Sequence, residues 1–255
     1  MSIAVVLIQI LPVRISANVK KGDDLAAMIV SAAHSAGTEI LARDIIVVAQ
    51  KIVSKAEGRV VDLRAIKPSK KARNLARSQG KDLRLVEIIL RESRRLVRAR
   101  NGIIITETRH GFVCANSGVD QSNVQGKSHV IVLPIDPDKS ASKIRSGIRK
   151  ICNKDVAVVI TDTFGRPFRN GQTNVAIGVS GIAPIKSYIG SLDMYGRKLR
   201  VTEIAIADEI ASAAELVMGK ADRVPVAIVR GYNSEPTSRS GIRALLRSKE
   251  KDLFR

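Results

Sequence analysis

The chain has 255 residues, 45% of them hydrophobic, which is enough for one large domain or two small lobes around an aliphatic core. Its formal net charge of +19 is typical of nucleic-acid-binding proteins and of proteins that handle several anionic ligands. No apolar run approaches the ~20 residues that a membrane span requires. The two cysteines lack metal-ligand spacing, so we expect a reducing, cytoplasmic location.

The first part of the chain predicts two strands around a helix. An apolar run over 3–11 predicts a strand that Pro12 ends, without the basic leader or cleavage site of a signal peptide. Two aspartates begin a predicted helix over 23–35. The apolar run over 45–53 predicts a second, buried strand.

The next segment predicts two helices and a hairpin. The helices, over 70–79 and 82–98, are separated at Gly80, and strands over 103–108 and 112–115 follow them. The second helix would carry an apolar row opposite a row of arginines, which we interpret as a solvent-facing side or a partner surface. The apolar row is Leu85, Ile88, Ile89 and Leu96, and the arginines are Arg91, Arg94, Arg95 and Arg98.

The second half of the chain predicts a further alternation of strands and helices. Strands are predicted over 129–133, 156–160, 174–179 and 226–229, and helices over 138–152, 202–218 and 240–254. We expect Ile144, Ile148 and Ile151 to face inward. We expect Cys114 and Cys152 to be buried as small apolar residues.

Two clusters of short polar side chains follow apolar runs. Thr161, Asp162 and Thr163 come directly after a predicted strand, and Asp120 lies in the segment 116–123 after the predicted hairpin. Carboxylate and hydroxyl oxygens are hard ligands, which suit Mg²⁺ or Mn²⁺ ions that hold phosphates. The alternative for the second cluster is an ordinary turn, because Asn, Ser, Gly and Asp are common turn residues.

A basic loop over 165–173 carries Arg166 and Arg169 between two glycines. Arginine binds carboxylate and phosphate oxygens in pairs, and glycine lets the backbone approach a ligand closely. This loop is therefore either an anion site or an ordinary basic hairpin. In the same way, Lys55 beside a glycine turn is either a phosphate contact or a solvated lysine.

Neither the G-x-x-x-x-G-K-[ST] phosphate loop nor the G-x-G-x-x-G dinucleotide motif occurs. Instead, six segments occur in one order: LPVR with GDDL (11–14, 22–25), VVAQKIVSKAEGR (47–59), NSGVDQSN (116–123), VITDTFGRPFRNGQTNVAIGVSG (159–181), DMYGRKLRVTEIAIADEIASAAELVMGKADRVPVAIVRG (193–231) and DLFR (252–255). Together they resemble the coenzyme F420-0:L-glutamate ligases, also called F420-0 gamma-glutamyl ligases. The resemblance extends from one end of the chain to the other.

The resemblance implies a single domain over residues 1–255 with an α+β fold, in which mixed sheets and flanking helices form two intertwined lobes. It implies a homodimer that uses GTP, two ions of Mg²⁺ or Mn²⁺, and K⁺. Such an enzyme joins L-glutamate to the lactyl carboxylate of the deazaflavin F420-0 and then adds gamma-linked glutamate. We also expect the ligase module alone, without the nitroreductase-like module of some relatives.

The resemblance also assigns site residues. The metal ligands would be Asp120, Asp162 and Thr163. The GTP contacts would be Leu11, Pro12, Val13, Arg14, Gln50, Lys51, Lys55 and Asn123, together with the loop Met218, Gly219, Lys220, Ala221, Asp222, Arg223 and Val224. We further expect Asp162 and Lys55 to act in catalysis, and Arg166 and Arg169 to hold the carboxylate or phosphodiester of the acceptor.

Amide formation from a carboxylate requires a better leaving group than oxide, so we expect the GTP gamma-phosphoryl group to give an acyl phosphate that glutamate attacks. Two metal ions would neutralise the phosphates, which requires Asp120 and Asp162 to lie within ~4 Å of a shared ion pair. Two alternatives stay open. One is a basic protein that binds nucleic acid without catalysis, and the other is a ligase of the same family acting on another carboxylic acid.

Overall fold

The computed structural model describes residues 7–234 and 241–252. Within these ranges the helices are α1 (Leu25–Ser35), α2 (Gln50–Ala56), α3 (Lys70–Gln79), α4 (Leu83–Glu92), α5 (Pro137–Cys152) and α6 (Ile206–Met218). The strands are β1 (Gln9–Val13), β2 (Ile45–Ala49), β3 (Val60–Asp62), β4 (Ser93–Arg100), β5 (Ile103–Thr108), β6 (Val113–Ala115), β7 (His129–Ile131), β8 (Ala157–Arg166), β9 (Arg169–Ser180), β10 (Lys186–Ser187), β11 (Glu203–Ile204) and β12 (Val226–Arg230). The predicted α+β fold with mixed sheets and flanking helices is confirmed. Among the described residues, no helix has the length and apolar character needed to cross a bilayer.

The central sheet has the strand order β1-β12-β2-β8-β9. β2 and β8 are parallel, with Ala49 opposite Thr161, whereas the other neighbouring pairs are antiparallel. Because β12 runs against both β1 and β2, the carboxyl ends of β1 and β2 lie at one edge of the sheet. β12 begins at the same edge, since Val226 pairs with both Val13 and Val48. We call this the carboxyl edge of the central sheet.

A larger hydrophobic core surrounds the central sheet on both faces. Residues 45–48 of β2 are all 0% exposed, so neither face of this strand reaches water. α5 packs against β8, β9 and α1, whereas α6 packs against β1, β12 and β9. A local signal in the sequence fixes the start of α1, because Asp24 caps this helix by accepting hydrogen bonds from the N–H groups of Ala26 and Ala27.

A smaller core is built by one continuous part of the chain. Its members are Leu63, Ala72, Ala76, Leu85, Val86, Ile88, Ile89, Ile104, Val119, Val130 and Val132. Apart from Phe112, the chain leaves the larger core after α2 and returns to it at Leu133 and α5. The protein therefore has two hydrophobic cores, one inserted between two segments of the other, while the single-domain assignment stays a prediction.

Aromatic and charged contacts join the two cores. The ring of Phe112, in the turn before β6, meets the ring of Phe164 on β8 edge to face, with centroids 6.1 Å apart. Arg59 donates to the carbonyl of Leu133 at 3.0 Å and to Glu92 at 2.9 Å. Phe112 thus packs into the larger core from the inserted segment, and these contacts fix the position of β6 and its following turn against β8.

The predicted strand over 45–53 is wrong beyond Ala49, because helix α2 begins at Gln50. The polar positions 50, 51, 54 and 55 repeat with the helical period rather than alternating. Gln50 accepts a hydrogen bond from the Ser54 hydroxyl one turn later, at 2.9 Å. The polar side chains at this strand end therefore lie on one side of a helix.

The predicted helix over 82–98 is wrong beyond Glu92, where α4 ends and the chain continues as β4. β4 pairs with β5, and Arg95 forms an ion pair with Glu107 directly opposite it at 2.7 Å. This tertiary pairing overrides the helical pattern of the local sequence. Leu96 is therefore 36% exposed instead of contributing to an apolar helix face.

The end of the first strand and the length of the loop over 165–173 also differ from the prediction. β1 continues through Pro12 to Val13, which an edge strand tolerates because the missing N–H faces no neighbouring strand. The first four residues of that predicted strand lie outside the described residues. The loop predicted over 165–173 is much shorter, since β8 and β9 extend into it and only Pro167 and Phe168 connect them.

The remaining differences concern helix ends and burial. α6 begins at Ile206, because the residues before it pair as the short strand β11. Ile151, in the last turn of α5, is 50% exposed. The closing helix predicted over 240–254 is replaced, within the described residues, by two short 3-10 turns. Cys114 is buried as predicted, whereas Cys152 is only half-buried.

Candidate active site

The carboxyl edge of the central sheet gathers most of the predicted site residues. Arg14 follows β1, Gln50 and Lys51 follow β2, and residues 218–224 precede β12. Asp162 lies one residue beyond the last pair between β2 and β8. The parallel arrangement of these two strands therefore brings the basic start of α2 next to the acidic part of β8.

Asp120 reaches the same edge from the smaller core. Its backbone pairs with β7, and the turn before it contains two left-handed residues, Asn116 at φ 53° and Ser117 at φ 56°. The Ser117 hydroxyl is buried, lies 2.7 Å from the Thr106 hydroxyl and donates to the carbonyl of Ile89 at 2.9 Å. A left-handed turn anchored in this way fixes the direction in which the following aspartate leaves the core.

Lys51 and Asp120 form an ion pair at the meeting point of the two cores. Lys51 Nζ lies 2.8 Å from Asp120 Oδ2 and donates to the hydroxyl of Ser122. The N–H of Ser122 donates to Asp120 Oδ1 at 2.7 Å. Burial alone would raise the pKa of Asp120, but the hydrogen bonds from Lys51 and Ser122 outweigh burial and lower this pKa.

Asp162 is a half-buried carboxylate whose charge is incompletely compensated. Burial of the carboxylate raises its pKa to about 6. The N–H of Thr163 and the charges of Lys51 and Lys220 oppose this rise, whereas the charge of Asp120 adds to it. The two acidic segments therefore act on one another electrostatically. A carboxylate in such surroundings is a candidate cation ligand.

The thiol of Cys114 on β6 lies within the electrostatic reach of Asp162. Burial, reinforced by the charge of Asp162, raises the pKa of this thiol to about 12. Because only the thiolate is a good nucleophile, we do not expect Cys114 to act as one.

A second lysine lies among oxygens on the opposite face of β8. Thr163 follows Asp162 in the strand, so its side chain projects to the other face. Lys220 Nζ donates to Thr163 Oγ1 at 2.8 Å and to Asn174 Oδ1 at 3.2 Å, and it lies 2.8 Å from Glu215 Oε1. Thr163 donates to Asn174 Oδ1 at 2.7 Å, and Asn174 donates to Glu215 Oε2 at 2.8 Å. These four side chains form one closed hydrogen-bonded network.

The loop over 218–224 touches both cores. The carbonyl of Lys220 accepts a long hydrogen bond from Asn123 Nδ2 at 3.5 Å. The carbonyl of Arg223 accepts from the N–H of Ile15 at 3.2 Å, which places the end of β1 beside this loop. The segments for which GTP contacts are predicted therefore surround one edge of the sheet.

Two residues of α2 are suited to bind an anion. Gln50 is 1% exposed, and its Nε2 lacks a hydrogen-bond partner among the described residues. Such a buried donor is available to a ligand oxygen. Lys55 is half-buried one turn after Lys51, and burial together with the charge of Lys51 lowers its pKa. The helix therefore concentrates positive charge next to an unused donor.

Arg166 and Arg169 lie apart from this group. They pair at the end of the hairpin, four residues beyond Asp162 along β8, which corresponds to ~13 Å at the usual rise of a strand. Arg166 donates to the carbonyls of Asn170 and Gly171 in the same hairpin. Only a ligand that extends along the hairpin would reach both these arginines and the carboxyl edge.

Three residues of the site were not predicted from the sequence: Ser122, Asn174 and Glu215. Asn174 is 4% exposed although it is polar, so its position in an otherwise apolar strand is a signal of a buried polar contact. Glu215 lies near the end of α6, and its role depends on how the following loop folds back. Ser122 gives no sequence signal beyond that of a turn residue.

The site offers hard oxygen ligands for a metal ion, but few of them are carboxylates. Within residues 7–234 and 241–252, no three His, Cys, Asp or Glu side chains are grouped closely enough to hold a metal ion. Divalent ions that assist phosphate chemistry are commonly held by one or two carboxylates together with substrate phosphates. The pair Asp120 and Asp162 fits this type of site, whereas the hydroxyl of Thr163, on the other face of β8, would serve a separate ion.

Comparison with known proteins identifies close relatives. A family profile described as F420-0:Gamma-glutamyl ligase matches residues 14–231. A coenzyme F420:L-glutamate ligase of Methanothermobacter thermautotrophicus is 50% identical over 236 residues, covering 92% of this chain and 93% of the relative. Proteins of the same description are 51% identical over 213 residues in Methanocaldococcus jannaschii (83% and 84% covered) and 47% identical over 252 residues in Methanopyrus kandleri (97% and 98% covered).

Proposed function

Because the chain belongs to the F420-0:gamma-glutamyl ligase family, we propose that it joins L-glutamate to the carboxylate of F420-0 and then adds gamma-linked glutamate, with GTP as co-substrate. It would thus act as both coenzyme F420-0:L-glutamate ligase and coenzyme F420-1:gamma-L-glutamate ligase in coenzyme F420 biosynthesis. The observation that carries this proposal is the meeting of Asp120, Asp162 and Lys51 at the carboxyl edge.

The proposed reaction has two steps. A carboxylate oxygen of the acceptor attacks the gamma-phosphorus of GTP, which forms an acyl phosphate and releases GDP. The glutamate amine then attacks the carbonyl carbon and loses a proton, and inorganic phosphate leaves with the electrons of its bond to carbon. Phosphoryl transfer depends mainly on positioning and on neutralising charge, which is what a cluster of cations and hydrogen-bond donors supplies.

Asp120 and Asp162 would hold one divalent ion, Mg²⁺ or Mn²⁺, and the hydroxyl of Thr163 would contribute an oxygen to a second ion. Two such ions and K⁺ are the proposed inorganic cofactors, and they would neutralise the phosphates of GTP. The residues fit this role, because lysine ammonium groups already contact Asp120 and Thr163 at 2.8 Å. Asp120 and Thr163 therefore each have a positively charged group next to their side-chain oxygens.

The triphosphate of GTP would lie along the carboxyl edge. Gln50 Nε2 and the ammonium of Lys55 would face it from α2, while Asn123 would approach from the smaller core. Residues 11–14 and the loop over 218–224 would flank it on the remaining side. Since these segments meet at one edge, a single nucleotide can contact all of them.

The acceptor would extend from the carboxyl edge along the hairpin of β8 and β9. F420-0 carries a phosphodiester and a carboxylate, and Arg166 and Arg169 are proposed to bind these groups through paired hydrogen bonds. We also propose a homodimer, as the resemblance implies.

Mass spectrometry of the deazaflavin product tests this function. After incubation with GTP, Mn²⁺ and L-glutamate, we expect successive glutamate additions, with GDP and phosphate released only when both acceptor and glutamate are present. Unchanged deazaflavin in the presence of acceptor-independent GTP hydrolysis would contradict the proposal. Glutamylation of another carboxylic acid in place of F420-0 would identify the alternative ligase of the same family.

The exposed arginines of β4 favour one alternative, a basic protein that binds nucleic acid. Arg94, Arg98 and Arg100 are all exposed on this strand. Binding through such a surface is tight at low salt and falls steeply as salt rises. RNA or DNA binding that disappears at physiological salt would dismiss this alternative.

A further inference from the structure

Arg59 lies where the chain crosses between the two cores. Its N–H donates to the carbonyl of Ser54 in α2 at 2.7 Å, and its carbonyl accepts from the N–H of Val132 at 3.1 Å. Its side chain donates to the carbonyl of Leu133 at 3.0 Å and to Glu92 at 2.9 Å. One residue therefore holds together the end of α2, the segment by which the chain returns to the larger core, and the end of α4.

α2 links Arg59 to the acidic part of β8. Its first residue, Gln50, follows Ala49, which lies opposite Thr161, and Asp162 is the next residue of β8. Four of the seven residues of α2 are buried, so the helix is packed into the larger core. At the usual rise of a helix it is about 10 Å long. α2 is therefore a rigid spacer, with Asp162 beside its start and Arg59 just after its end.

A first connection from Arg59 to Asp120 runs through the backbone. Val132, which donates to Arg59, directly follows Ile131 at the end of β7. Ile131 and Asp120 exchange two backbone hydrogen bonds, at 2.9 and 2.8 Å. Asp120 is therefore attached to Arg59 through a hydrogen-bonded strand and not through a loop.

A second connection runs through α4. Glu92 is the last residue of this helix, and the carbonyl of Ile89, one turn earlier, accepts from the Ser117 hydroxyl at 2.9 Å. Ser117 belongs to the left-handed turn that precedes Asp120. The ion pair of Arg59 with Glu92 thus holds the helix to which this turn is anchored.

We propose that Arg59 is a positioning residue, which sets the distance between Asp120 and Asp162 so that both carboxylates bind one divalent ion. This role rests on the proposed function, because it concerns the ion assigned to these two aspartates. Arg59 acts through the segments that it joins, since its side chain is engaged by Leu133 and Glu92. Metal ligands have to be held within about 0.5 Å of their productive geometry, so a small shift between the cores would weaken the site.

Arginine suits this role because its planar guanidinium donates in fixed directions. Its Nε bonds to Leu133 while its Nη2 bonds to Glu92, so the returning segment and α4 keep one relative position. A lysine has a single ammonium group on a flexible stem and would not fix both partners. The side chains of Arg59 and Glu92 are 23% and 18% exposed, which shields their ion pair from water more than a surface pair.

Titration of the full chain with Mn²⁺, without nucleotide or acceptor, tests this role, with free Mn²⁺ measured by electron paramagnetic resonance. We expect Arg59→Met to weaken the ion that depends on Asp120 by about tenfold or more, as the loss of residues that orient metal ligands commonly does. Arg59→Lys should give a smaller loss. The matched control is Arg230→Met, which breaks an ion pair with Asp44 at the opposite edge of the central sheet. It should keep the Mn²⁺ affinity within about twofold, although it destabilises the fold.

Amide hydrogen exchange gives a readout that needs no metal ion. We expect the N–H groups of Asp120 and Ile131 to exchange about tenfold faster or more in Arg59→Met than in Arg230→Met, because only the first variant loosens the connection between the cores. The amide of Val47, in the buried strand β2, is the reference in each variant. It corrects for differences in global stability.

Turnover gives a third readout. Raising the Mn²⁺ concentration should restore most of the activity of Arg59→Met, since both aspartates remain, but not that of Asp120→Asn. Wild-type Mn²⁺ affinity in a folded Arg59→Met variant would overturn the positioning role and leave the proposed metal site intact. Equal losses of affinity in Arg59→Met and Arg230→Met would also overturn it, because affinity would then follow stability. If the affinities changed as expected but the wild type transferred no glutamate, only the proposed function would fail.

Discussion

The carboxyl edge of the central sheet and the outer side of β4 both carry several charged residues, but in opposite surroundings. At the carboxyl edge Asp162 is half-buried, and its pKa is raised to about 6. On β4 the side chain of Arg94 is 62% exposed and that of Arg95 is 40% exposed, and both lie near the buried carboxylate of Glu107. Most of the charge density on β4 is therefore screened by water.

This difference shows that burial, more than the number of charges, locates the site. The net charge of +19 is spread along the chain, so it does not single out one surface. The negative charge of a partly buried carboxylate such as Asp162 is only partly neutralised by its neighbours. A bound cation would neutralise the rest. Variants that remove charge in the two regions should therefore have very different effects on turnover and on stability.

The largest effect should come from Asp162→Asn. We expect turnover to fall by about a thousandfold or more, because charge neutralisation dominates phosphoryl transfer, while the melting temperature is kept. The measurement is GDP release with acceptor and glutamate present. Glu209→Gln, which neutralises an exposed carboxylate on α6, is the matched control and should keep full activity. Wild-type turnover in Asp162→Asn would remove this carboxylate from the mechanism.

Arg230→Met should destabilise the protein without affecting the chemistry. Asp44 is 1% exposed and accepts hydrogen bonds from Arg230 Nε and Nη2 at 2.9 and 2.8 Å. Removing the arginine leaves a buried, unpaired carboxylate, which costs about 3–5 kcal/mol. Urea unfolding should show this loss, whereas turnover per folded molecule should be unchanged, because Arg230 lies at the far end of β12. Adding Asp44→Asn to this variant should recover part of the stability. If Arg230→Met lowers the free energy of unfolding by less than ~1 kcal/mol, the ion pair with Asp44 does not stabilise the fold as stated.

Glu87→Gln should give a pH-dependent loss of stability in the smaller core. Glu87 is 8% exposed, and it accepts from the N–H of Ser69 and from Arg91, both at 2.9 Å. Hydrogen bonds from Ser69, aided by Arg91, lower the pKa of this carboxyl. Its stabilising contribution is therefore fully present above the unfolded-state pKa of about 4.3 and is lost as pH falls through the lower folded-state pKa.

Urea unfolding of wild type and Glu87→Gln between pH 7 and pH 3 measures this effect. We expect a difference of about 1–3 kcal/mol at pH 7 that narrows below about pH 4. A difference that stays constant over this range would show that the loss comes from altered packing and not from the charge.

The smallest effect should come from Arg98→Gln on β4. An exposed arginine on a strand surface contributes within about 0.5 kcal/mol to stability, and this residue lies in the smaller core's outer sheet. Stability and ligase turnover should both be close to those of the wild type. A large loss of turnover would mean that the basic surface of β4 binds a substrate or a second subunit.

Elements with complete local signals were predictable from the sequence. α3 has Ser69 as its N-cap and the left-handed Gly80 after its end, and its predicted bounds are the observed ones. β4 was not predictable, because its strand pairing depends on β5, which follows it in the chain. The end of β2 was predicted too late, since an apolar run does not show where a strand becomes a helix.

The positions of the acidic segments were predictable from the sequence, but their partners were not. Asp120 and Asp162 follow apolar runs, and short polar residues at such places are visible without coordinates. The contact between Asn174 and Glu215 requires β9 and α6 to pack side by side, which no local pattern encodes. The contact of Lys220 with these two residues further depends on the course of the loop after α6.

The central claim is that Asp120, in the segment that forms the smaller core, and Asp162, on β8, bind the same divalent ion at the carboxyl edge. Mn²⁺ titration of the wild type, Asp120→Asn and Asp162→Asn tests it most directly. We expect each substitution alone to remove the same tightly bound ion. Retention of that ion at wild-type affinity in either variant would contradict it.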